Sequence, residues 1–148
     1  MKLDDAFENV HLIGLDTSPF IYFVERNSLY VDIMREIFKR LTDGEFLACS
    51  SVITLTEVLV QPFRQNNQIL ADKYRDLIYK GINFELLPLK SSNAETAAKL
   101  RAKYNLRTPD TLQIAAALDN GCEAFLCNDK NLKRVTEIKI LILDEITL

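Results

Sequence analysis

The sequence predicts an α/β domain on a parallel sheet, and three observations carry that expectation. Five short apolar runs recur along the chain: 11–16, 45–52, 82–89, 122–128 and 138–143. They are rich in Ile, Leu, Val and Phe on both faces, as strands covered on both sides must be. Amphipathic, helix-like segments lie between them, and such alternation is the signature of βαβ units. Finally, Gly44, Gly81 and Gly121 each end a helical segment just before a strand-like run, where a left-handed C-cap is expected.

The first run, "HLIGLD", reads as β1, with a helix beginning near Pro19. In 28–41, Tyr30, Ile33, Ile37 and Leu41 form one stripe, leaving Asp32, Arg35 and Lys39 elsewhere. After the run "EFLACSSV" come "TLTEVLVQPFRQ" and "NQILADKYRDLIYK", kinked or divided by Pro62. "INFELLPL" follows, then a small, polar helix over 93–105 and the most apolar helix, 109–120. "CEAFLCN", a short helical turn in "DKNLKRV" and "IKILIL" complete the chain.

Composition narrows the chemistry. A chain of 148 residues with 48% hydrophobic content and 26% charge suits one soluble domain, expected over residues 1–148. No apolar run reaches a membrane span, and the acidic "MKLDDAFENV" is unlike a signal peptide, so a cytoplasmic protein is expected. Three cysteines without metal-like spacing read as free thiols. His11 is the only histidine and reads as a surface or structural residue; any Ser-His-Asp or Cys-His arrangement would require it, a zinc site would lack a second histidine, and the four glycines never cluster into a phosphate loop. A net charge of −3 gives no global attraction for nucleic acid, so such a partner needs a local basic surface.

Ligands of parallel sheets bind beyond the carboxyl ends of the strands. Four acids fall there: Asp16 closes the first run, Glu57 follows the second, Asp110 heads the apolar helix and Asp129 closes the fourth. Each has a local explanation. Asp16 can cap the following helix. Thr54 and Glu57 fit a capping box, Thr108 can cap the helix that Pro109 and Asp110 open, and Asp129 can start the "DKNLKRV" turn. Jointly, four carboxylates aimed at one volume repel each other unless a cation sits among them. Oxygen donors without His or Cys suit Mg²⁺ or Mn²⁺.

The stretches "LDTSPFIYF", "ITLTEVL", "RTPDTLQIAAAL" and "FLCNDKNLKRV", in this order, resemble the PIN domain family of VapC-like toxin ribonucleases over about residues 12–135. The resemblance implies a three-layer α/β/α sandwich around a five-stranded parallel sheet in the order 3-2-1-4-5. It implies a Mg²⁺- or Mn²⁺-dependent endoribonuclease whose catalytic and metal-binding acids are Asp16, Glu57, Asp110 and Asp129. Ser18 and Asn128 match positions that support such a site through hydrogen bonds. Cys127 stands where the family often carries Thr or Ser, and a thiol is the poorer partner.

An RNA substrate requires positive charge near the cleft, for which Arg64, Arg107, Lys130, Lys133 and Arg134 are candidates. Lys99 and Lys103 fit a solvated helix face better. The resemblance further implies homodimerisation and, for a toxin, a small antitoxin that inserts a helix or an arginine into the cleft. A non-catalytic PIN-like interaction module is the alternative. A receiver-type phosphoacceptor is disfavoured because "LLPLK" does not end in the aspartate it needs.

Overall fold

Parallel strands require a crossover between each pair, and the helices supplying those crossovers fix the architecture. The computed structural model describes residues 1–148. Its strands are β1 (Leu12–Leu15), β2 (Leu47–Ser51), β3 (Phe84–Leu87), β4 (Ala124–Cys127) and β5 (Lys139–Ile142). They form one parallel sheet in the order β3-β2-β1-β4-β5, with Ile13 opposite Ala48 on one side and Ala124 on the other. The strands lie within the expected runs. The central β1 and β4 are almost wholly buried, whereas edge strand β3 leaves Glu85 exposed.

Helices α1 (Leu3–Ala6), α2 (Thr17–Val24), α3 (Val31–Thr42), α4 (Val52–Arg64) and α5 (Gln68–Lys80) alternate with the first two strands. Helices α6 (Ser91–Tyr104) and α7 (Thr108–Asp119) follow β3, and 3₁₀ turns over 130–134 and 143–145 flank β5. Two apolar clusters result, the two interfaces of a sandwich of helices, sheet and helices. One gathers Leu15, Phe20, Ile33, Ile37, Leu41 and Tyr74 from the α1–α5 side. The other gathers Leu100, Ile114, Ala117, Phe125 and Ile142 under α6 and α7.

Ile33, Ile37 and Leu41 of the α3 stripe are buried as the period predicts, with Met34 and Phe38 widening it, while Tyr30 sits half-buried at the cap. The division between α4 and α5 differs from expectation. Pro62 sits buried inside α4, and the break falls at Asn66 (φ 51°) and Asn67, whose side chain accepts from Leu70 N at 3.1 Å. Proline removes one donor near the helix end. The left-handed asparagine and the new cap are what redirect the chain.

Gly44 and Gly121 adopt the left-handed conformation (φ 80° and 82°), whereas Gly81 holds the C-cap position of α5 in an extended conformation (φ −61°, ψ 130°). At Gly14 the requirement is space. A Cβ there would lie 2.6 Å from Ala117 Cβ and 2.9 Å from Phe125 Cδ2, so its absence lets α7 seat directly on β1. The chain ends meet through a parallel bridge between Lys2 and Thr147. No helix is long and apolar enough to cross a membrane.

Candidate acidic site

Helices α2 and α4 start immediately beyond β1 and β2, and the 130–134 turn follows β4, so three acids inherit their place from strand ends. Asp16 is the N-cap of α2, with its Oδ1 accepting from Thr17 N at 2.8 Å. Asp129 caps the 3₁₀ turn, accepting from Asn131 N at 2.9 Å. Both local expectations hold. Two others shift. Ser51, not Thr54, caps α4 by accepting from Ile53 N at 3.2 Å, so Glu57 lies in the helix's second turn and closes no capping box. Arg107 takes the cap position of α7 without a side-chain cap bond, and Thr108 becomes its first residue.

The four acids share one electrostatic field. Burial is the largest influence on Asp16 and drives its carboxyl up to about 6. The Thr17 N–H opposes that rise, while Asp110, Glu57 and Asp129 each add repulsion. Each acid nevertheless has its own local partner. Glu57 Oε1 accepts from Thr17 Oγ1 at 3.1 Å, and Asp110 meets Arg107 through Nε at 3.1 Å and Nη2 at 3.4 Å. No three His, Cys, Asp or Glu side chains are gathered as a closed metal cage.

Beneath the acids lies a polar network that the sequence reading did not identify. Gln113 of α7, 3% exposed, donates through Nε2 to Thr54 Oγ1 at 2.6 Å and reaches Asp16 Oδ1 at 3.5 Å. Its Oε1 accepts from Ser51 Oγ at 2.5 Å. The Ser50 hydroxyl sits 2.7 Å from both Leu15 O and Thr54 Oγ1. Buried amides and hydroxyls persist only when paired, and here the pairing joins the ends of β1 and β2 to α7. The signal in the sequence was the lone Gln inside "LQIAAAL".

Ser18 and Asn128 behave differently from one another. Ser18 Oγ is the only buried side-chain oxygen or nitrogen in the protein without a hydrogen-bond partner. Asn128 bonds no acid of the group. Its Nδ2 donates to Tyr22 Oη at 3.2 Å and its Oδ1 accepts from Asp144 N at 2.9 Å, which ties β4 to α2 and the turn after β5. Cys127 is fully buried, and burial pushes its thiol up to about 12, so it stays neutral.

The basic candidates are unequally free. Lys130 pairs with Asp144 at 3.2 Å and Lys133 with Glu145 at 2.8 Å, while Arg134 Nε bonds Asn131. Arg64 is exposed and has no ion-pair partner, and Lys103 faces Glu137 at 3.5 Å. Arg107 alone among them holds one of the four acids. His11 lies on the surface against Glu123 at 3.1 Å, away from this group.

With this geometry, likeness to known proteins becomes informative. The sequence pattern of the family described as PIN domain matches residues 13–138. No curated protein matches the chain in sequence. The fold is similar to that in VapBC2 from Rickettsia felis bound to a promoter DNA fragment. That match has a TM-score of 0.72 and 15% identity, over 88% of this chain and 98% of that one. DNA-bound VapBC from Salmonella typhimurium matches with a TM-score of 0.66 and 20% identity, over 90% and 98% of the two chains. VapBC-1 from nontypeable Haemophilus influenzae matches with a TM-score of 0.67 and 17% identity, over 90% and 99%.

Proposed function

This chain belongs to the PIN domain family, and on that premise we propose that it is a divalent-metal-dependent endoribonuclease that hydrolyses RNA phosphodiester bonds. We further infer that it is the toxin of a VapC-like toxin–antitoxin pair, acting in the cytoplasm. Residues 1–148 would form the single unit, because the segments outside 13–138 join each other through Leu3 N to Thr147 O at 2.8 Å.

The observation that supports the reading best is the shared field. Asp110, Glu57 and Asp129 all act on Asp16 at the edge where parallel sheets receive ligands. A buried carboxyl held near 6 by burial and like charges is a group that a cation would stabilise.

The donor set fits Mg²⁺ or Mn²⁺, being hard oxygen throughout. The unpartnered Ser18 hydroxyl in the first turn after Asp16 supports the same view, since a buried orphan costs about 1–3 kcal/mol unless something engages it. Asp16 and Asp110 would hold the cation directly, with Glu57 and Asp129 binding directly or through water. Such a cation supplies charge for the phosphoryl oxygens and acidifies a water for in-line attack. The chain's own residues do the remaining work. Thr17 and Gln113 orient Glu57 and Asp16, and Asp129 stays available at the rim, while Arg64 closes α4 at the end away from these acids.

A non-catalytic interaction module remains the second reading, favoured by the local partners that each acid already has and by the lack of a closed cage. Titration with Mn²⁺ and cleavage of a fluorescent RNA oligonucleotide separate the two. The nuclease reading expects Mn²⁺ binding that Asp110→Asn abolishes, with cleavage falling by about a hundredfold or more. Wild-type protein that binds no Mn²⁺, or Asp110→Asn binding equally well, overturns it.

The toxin reading adds a small antitoxin that places a basic side chain among the acids, and a homodimer. Co-expression with an adjacent small gene product should give a stable complex that blocks cleavage. Light scattering that finds only monomer at high concentration would remove the dimer.

A further inference from the structure

Arg107 is bound to a residue proposed to hold metal, and that contact has a consequence for substrate. The Arg107 side chain is 78% exposed, while that of Asp110 is only 16% exposed. A free arm thus reaches down onto a fixed acid. The two lie three positions apart at the start of α7, with Arg107 in the cap position and Asp110 in the first turn. Asp110 is held by the helix; Arg107 is tethered only through its stem.

The guanidinium also senses more than its partner. Its charged form is favoured first by the hydrogen bond and charge of Asp110, and further by Glu57 and Asp129. Among the basic residues at this edge, Lys130 and Lys133 are paired with Asp144 and Glu145, outside that group.

We propose that Arg107 is a two-position residue: it neutralises Asp110 in the cation-free protein and passes to a phosphate of the RNA when a cation takes Asp110. This rests on the nuclease reading given above. The physical basis is competition for one carboxylate. With its guanidinium in solvent although Asp110 is partly sheltered, the pair contributes on the order of 1 kcal/mol, so a divalent cation sharing these acids displaces it at small cost. Once released, the guanidinium stays within reach of the same spot. Its planar fork suits two phosphate oxygens, and lysine in its place offers only a point charge. The exchange keeps the edge from carrying four unbalanced carboxylates in either state.

The test compares wild type, Arg107→Gln, Arg107→Lys and Asp110→Asn. Mn²⁺ affinity is measured by calorimetry without RNA, and kcat and KM are measured on an RNA oligonucleotide at saturating Mn²⁺. Arg107→Gln should bind Mn²⁺ tighter, by about two- to fivefold, and yet cleave about tenfold or more slowly. Arg107→Lys should fall between wild type and Arg107→Gln in both respects. A merely structural role cannot improve metal affinity while reducing turnover. Unchanged or weaker Mn²⁺ binding by Arg107→Gln overturns the exchange, as does undiminished cleavage. If wild-type protein binds no Mn²⁺, the nuclease reading falls and the exchange with it. If wild type binds and Asp110→Asn does not, any failure belongs to Arg107 alone.

Discussion

Gln113 Nε2 and Thr54 Oγ1 lie 2.6 Å apart in the interior, joining α7 to α4 directly beneath Asp16. With Ser51 on its other end, this amide has no water to fall back on. Gln113→Leu keeps most of the volume but leaves the Ser51 O–H without its acceptor and Thr54 with its Ser50 contact but no amide donor, and should cost about 1–3 kcal/mol. Urea unfolding without added metal gives that number directly. A loss under about 0.5 kcal/mol would mean that the hydroxyls find other partners.

Asp16 should make the cation-free protein sensitive to pH. Its carboxyl lies at about 6 in the folded chain against an ordinary 3.8, so folding favours the protonated form. The contribution is therefore fully present below about pH 4 and lost as pH rises through about 6. The difference corresponds to at most about 3 kcal/mol. Asp16→Asn should flatten this dependence, stabilising the protein at pH 8 in EDTA and changing little at pH 4. Stability curves for both proteins from pH 4 to 8 check it.

The three cysteines should be silent in the native state. Cys49 and Cys127 are fully buried and Cys122 is 7% exposed. The hydrogen bond with Cys49 and then burial hold the Cys122 thiol protonated, and burial does the same for Cys127; the bond with Cys122 lowers Cys49 instead, so that thiol is protected by its inaccessibility. Because the thiolate is the reactive form, an aromatic disulfide reagent should titrate none of them at pH 7.5 and all three in denaturant. Rapid native labelling of any one would contradict the packing around that residue.

Gly121→Ala isolates backbone strain. The glycine has φ 82°, yet nothing lies within 4 Å of an added Cβ. The cost is then conformational alone, about 1 kcal/mol, with Asn tolerated better than Ala. Thermal unfolding of the two variants should rank them in that order.

Much of the architecture was written in hydrophobic runs. Strands buried on both faces cannot hide their composition, and the α3 stripe repeats at the helical period. Asp16 and Asp129 follow the ends of β1 and β4 and cap as local chemistry suggests, while Glu57 and Asp110 were placed by the helix starts near them. Helix starts were less legible. Ser51 captured α4 three residues ahead of Thr54 because the chain turns as soon as β2 ends. Gly81 looked like Gly44 and Gly121 in sequence, but a Cβ there would meet Leu77 O at 2.7 Å, so close approach selects glycine without a left-handed turn. The Gln113 network was invisible for a different reason. Its partners come from β2 and α4, some 60 residues away, and no local pattern encodes such a meeting. Asn128 was read as support for the acids, but tertiary neighbours Tyr22 and Asp144 claimed both ends of its amide.

The bare Cα of Gly14 has a reach beyond its own contact. Seven residues separate Ala117, the helix residue resting on it, from Asp110, and at helical rise that is a stiff rod of roughly 10 Å. A rod seated at one end carries any lift at its base to its tip. Gly14 therefore works as a spacer of zero thickness: the depth at which α7 rests on β1 sets how far the Asp110 carboxylate stands from Asp16, and a single methyl group inserted there would be read out two helical turns away.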